Sequence, residues 1–237
     1  VGILKRLFNA QKVGHGGTLD PLADGILPIA FGEATKTAQW AMDCDKEYVF
    51  TIEWGTSTAS QDKEGEVTAT SDMRPERAQI EAVLPDFIGE ISQVPPKYSA
   101  IKIQGERAYD LVRDGEAFEI PSRQVDVYEA ELVDIPDPDH ATLRVVSGKG
   151  FYVRAMARDL AQKLGAEGHV SALRRTRVGA MDEAGAISLA KLEALADDKA
   201  GLLQMLAPLE TVLDDVPEIE IDTSDVPASR QGREIVL

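Results

Sequence analysis

Hydrophobic and polar positions change period several times along the chain, and each change marks an element. Val1, Leu4, Leu7 and Phe8 fall three or four residues apart, the spacing of a helical stripe, so the sequence reads as entering in mid-helix with preceding chain expected. Tyr48, Phe50, Ile52 and Trp54 alternate with Val49, Thr51 and Glu53, which predicts a strand presenting Tyr48 on its apolar face. Pro75 suits the first turn of a helix carrying Ala78, Val83, Leu84 and Phe87 toward the core. Residues 125–135 and 142–147 read as strands, with Pro136-Asp137-Pro138-Asp139 turning the chain between them. Gly148-Lys149-Gly150 breaks the pattern, and Phe151-Tyr152-Val153 resumes extended structure. Met156, Ala157, Leu160 and Leu164 then share one helical stripe that ends at Gly165. Ser188 is placed to cap a helix bearing Leu189, Leu192 and Leu195, and residues 233–237 read as a strand just entered.

Strands in runs with irregularly interspersed helices predict the α+β class, built on a mostly antiparallel mixed sheet flanked by helices. Composition shifts after about Gly179. The acidic stretch 197–225, with Pro208 and Pro217, predicts a linker into a small terminal module, which divides the chain into 1–180 and 181–237.

Composition narrows the class further. With 43% hydrophobic and 28% charged residues in 237, the chain can bury a core and lacks a disorder-prone make-up. It holds no apolar run long enough to cross a bilayer and no signal segment at its start. One cysteine, Cys44, excludes an internal disulfide framework and fits a reducing cytoplasm. His15, His140 and His169 lie far apart with no second cysteine, so zinc-like spacing is missing and neither metal nor cofactor is expected.

The net charge of -16 argues against a nucleic-acid partner until its distribution is considered. Residues 144–178 hold eight bases (Arg144, Lys149, Arg154, Arg158, Lys163, Arg174, Arg175, Arg177) against Asp159 and Glu167. Such a stripe can dock a phosphate backbone within an acidic exterior, because salt limits charge effects to about 10 Å. It is equally compatible with a solvated charged face.

The segment 14–28, Gly-His-Gly-Gly-Thr-Leu-Asp-Pro-Leu-Ala-Asp-Gly-Ile-Leu-Pro, contains four glycines and two prolines and cannot form one regular element. A loop of this kind lets backbone approach a ligand and holds Asp20 in one place. Taken alone, Asp20-Pro21 is more often a turn or cap than a site, and the surrounding glycines bring the two readings level.

The run Lys12-Val13-Gly14-His15-Gly16-Gly17-Thr18-Leu19-Asp20-Pro21-Leu22-Ala23, continued by Gly32-Glu33-Ala34-Thr35-Lys36, closely resembles the TruB family of tRNA pseudouridine synthases. Four more motifs follow in the family's order: Asp45-Lys46-Glu47-Tyr48, Pro95-Pro96-Lys97-Tyr98-Ser99-Ala100, Gly148-Lys149-Gly150-Phe151-Tyr152-Val153-Arg154, and His169-Val170-Ser171-Ala172-Leu173-Arg174-Arg175. The resemblance implies a pseudouridine synthase fold through about residue 180, then connecting helices and part of a small RNA-binding, PUA-like module. It implies isomerisation of uridine to pseudouridine at position 55 in the T arm of tRNA, by a monomer that needs no protein partner. Asp20 resembles the family's essential aspartate, Tyr48 the tyrosine that stacks on the base and handles the C5 proton, and Arg154 the arginine that pairs with the aspartate. Tyr152 and Leu173 resemble pocket walls, His15 the histidine that holds the everted base, and Lys36 a backbone-contacting lysine.

Three departures stand out. Asp24 occupies a place where the family usually has threonine, Ala59 replaces a common aspartate in Thr58-Ala59-Ser60-Gln61-Asp62, and the usual opening Lys-Pro-x-Gly strand is missing. Asp20-Pro21-Leu22-Ala23 favours the stand-alone bacterial branch over the guide-RNA-dependent one. Two rivals remain from the residues: a nucleoside glycosidase, which would also cut a C–N glycosidic bond with a carboxylate, and a non-catalytic tRNA-binding chaperone.

Overall fold

The structure, a computed structural model, describes residues 1–99, 101–103, 105–113, 118–213, 216–217 and 219–234. Its first elements are α1 (Gly2–Leu7), β1 (Val13–His15), β2 (Ala23–Gly25), β3 (Ile29–Phe31), α2 (Ala38–Asp43), β4 (Lys46–Trp54), β5 (Thr56–Thr58), β6 (Val67–Thr70), α3 (Arg77–Val83) and β7 (Gly89–Gln93). There follow β8 (Lys102–Ile103), β9 (Glu106–Arg107), α4 (Ala108–Arg113), β10 (Arg123–Asp137), β11 (His140–Ser147), α5 (Val153–Lys163), β12 (Gly168–Val178), β13 (Met181–Asp182), α6 (Leu189–Ala194), α7 (Lys199–Gln204) and α8 (Val226–Arg230).

The alternation at 46–54 places β4 inside a seven-stranded sheet ordered β13-β12-β4-β11-β10-β7, every one of these pairs antiparallel. The pairing of β2 along β12 is parallel and makes the sheet mixed. Phe50, Ile52 and Trp54 of β4 bury one face together with Leu143, Val145, Val125, Val127 and Val170. The stripe Met156, Ala157 and Leu160 of α5 covers that face, which is the expected α+β arrangement. Burial of this apolar surface, worth about 25 cal/mol per Å2, stabilises the packing of α5 on the sheet.

Local differences from the sequence pattern have local causes. Pro75 lies before the helix rather than in its first turn, because Glu76 is the N-cap and closes a reciprocal capping box with Gln79. Ala78 is exposed and Ile80 takes the core position, while Leu84 and Phe87 are buried from a 3-10 segment, Leu84–Phe87. Pro85 lacks the N–H that would continue α3. Val153 is the first residue of α5 and not part of an extended run. The strand expected over 125–135 runs on through Asp137, so only Pro138-Asp139 turns the chain before β11. Gly165, with φ +68, ends the α5 stripe as expected, and the Ser188 hydroxyl accepts the Lys191 N–H at the start of α6. Of the final strand expected at 233–237, residues 235–237 lie outside the described residues. No helix among the described residues is long and apolar enough to cross a membrane.

Candidate active site

Tyr152 is the N-cap of α5, and Gln93 of β7 fixes its backbone from both sides. The Gln93 Oε1 accepts the Tyr152 N–H at 2.8 Å, and Gln93 Nε2 donates to the Tyr152 carbonyl at 3.1 Å. Arg154, two residues on, is thereby aimed from the first turn of the helix and is only 3% exposed. Its Nε donates to Asp20 Oδ2 at 2.7 Å and its Nη2 to Asp20 Oδ1 at 2.9 Å, a bidentate fork. The remaining donors reach the Ser60 carbonyl at 2.8 Å and the Tyr98 carbonyl at 3.0 Å. Asp20 keeps 27% of its side chain exposed, so one flank is held by the guanidinium and another stays open to a ligand.

The loop that carries Asp20 is pinned at both ends. The β1–β3 pair sets His15 opposite Ile29, and the Gly16 N–H donates to the Pro28 carbonyl at 2.9 Å. At the other end Gly25 has φ +97 and passes so close to β12 that a Cβ there would lie 2.1 Å from the Arg175 carbonyl oxygen. Only glycine accommodates both the conformation and the approach.

Tyr48 lies in the β4–β12 register directly opposite Arg175, and Leu173 lies opposite Phe50 while pairing with Ala23 on its other side. Burial pushes the Tyr48 phenol above its ordinary value, and the nearby Arg175 charge and hydrogen bond oppose that rise. Leu173 is 7% exposed and belongs to the core cluster against which the partly buried Leu22, Ala23 and Tyr48 pack. His15 is half-buried with Nδ1 shielded from water and unpartnered among the described residues. Lys36 is exposed at the end of the 3-10 segment Gly32–Lys36 and pairs with Glu33 instead of joining the Asp20 cluster.

Three contributors escaped the sequence reading. Gln93 gave no signal. Asp62, 4% exposed, stands 3.7 Å from Arg154 Nη1, within the segment in which Ala59 drew attention; Ala59 itself is exposed. Arg175 was counted with the basic stripe, although its position two residues after Leu173 on a strand could have revealed its inward face.

The stripe is not the free basic surface that its charge implies. Arg144 is bound by Glu47, Glu129 and Glu131, Lys149 by Asp43, Lys163 by Asp86 and Arg158 by Asp159. Arg174 is held between Asp24 and Glu183, which gives the unusual Asp24 a partner, and Arg177 donates to the Gly179 carbonyl. Arg154 and Arg175 are buried. Glu47, Glu129 and Glu131 reach Arg144 from the strands on either side of β11, and Asp43 and Asp86 reach the lysines from helical segments distant in sequence. Among the described residues, no group of three or more His, Cys, Asp or Glu side chains is placed to hold a metal ion.

Comparison with known proteins gives a consistent picture. Residues 5–153 match the family model described as TruB family pseudouridylate synthase (N terminal domain), and residues 154–214 match the tRNA pseudouridylate synthase B C-terminal domain. The chain is 58% identical over 237 residues to the tRNA pseudouridine synthase B of Caulobacter vibrioides, covering all of this chain and 76% of that protein. It is 53% identical over 241 residues to the protein of the same name from Bradyrhizobium diazoefficiens, covering 70% of it. Among solved structures, a chain of a Cbf5-Nop10-Gar1 complex superposes with a TM-score of 0.76 at 28% identity, over 98% of this chain and 62% of that one. A chain of an H/ACA RNP bound to a substrate RNA containing 2'-deoxyuridine gives 0.74 at 25% identity, over 99% and 62%. The chain thus spans about three quarters of these curated relatives and less than two thirds of the solved chains.

Proposed function

The chain belongs to the TruB family of pseudouridylate synthases, and from that premise we propose that it isomerises uridine to pseudouridine in the T arm of tRNA, at position 55, with Asp20 as the catalytic carboxylate. The observation that carries the reading is the Asp20–Arg154 fork, a part-exposed carboxylate fixed by a buried guanidinium inside a glycine-built loop.

The chemistry follows from that placement. A uridine stacked in RNA hides its C1′, so the nucleotide is flipped out before reaction. Tyr48 supplies a flat surface for the flipped base, an interaction worth about 1–3 kcal/mol. When the N1–C1′ bond breaks, its electron pair leaves with the uracil, and the Asp20 carboxylate stabilises or captures the electron-poor C1′. The uracil turns against the Leu173 wall, and C5 bonds to C1′. The C5 proton then leaves through the Tyr48 hydroxyl, which accepts it as it passes its own proton on, the electron pair restores the ring double bond, and N1 takes up a proton. His15 and Tyr152 border the base, and Lys36, on the exposed segment beyond β3, meets the RNA backbone. The chain acts as a cytoplasmic monomer of the stand-alone bacterial kind, with residues 1–180 catalytic and 181–237 the connecting helices and part of an RNA-binding module.

The test is incubation of the protein with an unmodified tRNA transcript, followed by nucleoside analysis. Pseudouridine at one T-arm position is the expected result. Free uracil with an abasic site identifies a glycosidase instead, and binding without any change in the nucleosides identifies a chaperone.

A further inference from the structure

Arg175 is only 2% exposed, yet none of the ion pairs among the described residues includes it. Its partners are carbonyls of the Asp20 loop. Nε donates to Ile26 O at 2.8 Å, Nη2 to Gly17 O at 3.1 Å and Nη1 to Thr18 O at 3.4 Å, while its own backbone carbonyl accepts the Ile26 N–H at 2.7 Å. Four contacts therefore tie β12 to the loop on both sides of Asp20. The opposite residue on β4 is Tyr48, and residues facing each other across antiparallel strands share one side of the sheet, with Cβ atoms about 4.5–5.5 Å apart. A guanidinium has five N–H donors, so three contacts to carbonyls leave two. The Tyr48 phenol, opposite it on β4, feels this guanidinium as a nearby positive charge and hydrogen-bond donor.

A neutral donor would suffice to hold carbonyls. Burying a full positive charge without a carboxylate is costly, and the charge here lies against carbonyls of the loop that carries Asp20 and on the residue opposite Tyr48. We propose that Arg175 is a positioning residue that fixes the Asp20 loop against Tyr48 and directs its remaining donor and its charge at the Tyr48 hydroxyl oxygen. The role rests on the isomerase reading given above, with Tyr48 handling the C5 proton. The charged groups around the phenol are Arg175 from β12 and Asp20 from the loop; Lys46 of β4, buried and bonded to the Met42 and Cys44 carbonyls, is a second cation near Arg175.

The test uses the full chain labelled with 3-fluorotyrosine and titrated without RNA by fluorine NMR. The Tyr48 signal is assigned by its loss in Tyr48→Phe. Arg175→Gln is expected to move the Tyr48 midpoint to higher pH, and Arg175→Lys to leave it nearer the parent. On a tRNA transcript, Arg175→Gln is expected to slow single-turnover product formation by about tenfold or more, with Kd within about threefold, and Arg175→Lys to recover part of the rate. A Tyr48 midpoint that stays put in Arg175→Gln overturns the proposal, even if the rate falls, because a purely structural clamp would do the same. If the Arg175 variants do not fold, 15N-arginine-labelled Tyr48→Phe decides: the Arg175 Nε–H signal must move from its position in the parent, and an unmoved signal overturns the proposal. Failure of the parent to make pseudouridine refutes the isomerase reading separately, since neither NMR measurement depends on turnover.

Discussion

Asp62 Oδ2 stands 3.7 Å from Arg154 Nη1, so the guanidinium that grips Asp20 faces a second and more deeply buried carboxylate. Asp62 is itself held by the Ser60 hydroxyl and by the Glu64 N–H at 3.0 Å. The Ser60 carbonyl returns to Arg154, so the 58–62 turn and the start of α5 are joined through this one side chain. Removing the guanidinium leaves two carboxylates in one small space without a counter-charge.

Arg154→Met is therefore expected to lower stability by about 3–5 kcal/mol, as for other buried ion pairs that lose one partner. Urea unfolding of the parent and the variant measures this. A loss below about 1 kcal/mol would show that the cluster contributes little to the fold.

Asp20→Asn has a different expected profile. The amide keeps the shape and part of the hydrogen bonding, and the side chain is 27% exposed, so the fold and tRNA affinity should be nearly unchanged. The single-turnover rate should fall by about a thousandfold or more, because the anion is needed only as charge develops at C1′. A rate within tenfold of the parent would remove Asp20 from the chemistry.

The candidate site was legible only where local pattern and chemistry coincide. The alternation at Tyr48–Trp54, the stripe Met156–Leu160 and the Ser188 cap each record one element's own geometry, and each appears as expected. Asp20, Tyr48 and Arg154 were named from motif resemblance, and the chain does bring Asp20 and Arg154 together across 134 residues of sequence. What could not be read depends on distant partners. The loop partners of Arg175 depend on a parallel pairing between β2 and β12 that no local period encodes. Val153 opens a helix whose N-cap, Tyr152, has its backbone fixed by Gln93, 59 residues before that cap. Arg144 and Lys163 of the basic stripe are paired by Glu47 and Asp86, both far from it in sequence.

That neutralisation leads to a prediction about RNA binding. Arg144 is fully engaged by three carboxylates, and those bonds raise its affinity for its proton still further. Arg144→Gln should leave the slope of log K against log salt unchanged, whereas loss of a true phosphate contact lowers the slope by up to about one. Fluorescence titration of tRNA at several salt concentrations measures the slope, and a drop of one unit would make Arg144 a phosphate ligand.

Gly25→Ala tests the close approach of the Asp20 loop to β12. A methyl group would meet the Arg175 carbonyl oxygen and also require a residue other than glycine at φ +97. Loss of at least about 2 kcal/mol is expected, together with loss of activity, because the Gly25–Ile26 segment must pull away from Arg175. Unfolding curves and single-turnover assays on the same sample check both effects. Parent-like values in both would mean that the loop is not clamped as described.

Tyr48→Phe joins the stability of the site to its chemistry. The phenol is raised by burial, so the unfolded chain loses this proton first, at about pH 10, while the folded chain still keeps it. Stability from the neutral buried phenol is whole below that pH and is lost as pH rises through the folded value. Phenylalanine has no proton to lose, so stability should decline less steeply above about pH 10 in the variant than in the parent. Urea unfolding at a series of alkaline pH values measures the difference, and parallel curves would contradict a raised phenol. In the assay the ring still stacks, so tRNA affinity should hold, but pseudouridine formation should slow severely because the C5 proton has lost its acceptor. Free uracil should not accumulate, since the walls at Leu173 and Tyr152 are intact. Following pseudouridine and uracil together on tRNA labelled at the target uridine separates the outcomes. Normal turnover by Tyr48→Phe would assign the proton to another group, while stoichiometric uracil would show that the hydroxyl retains the base rather than deprotonating it.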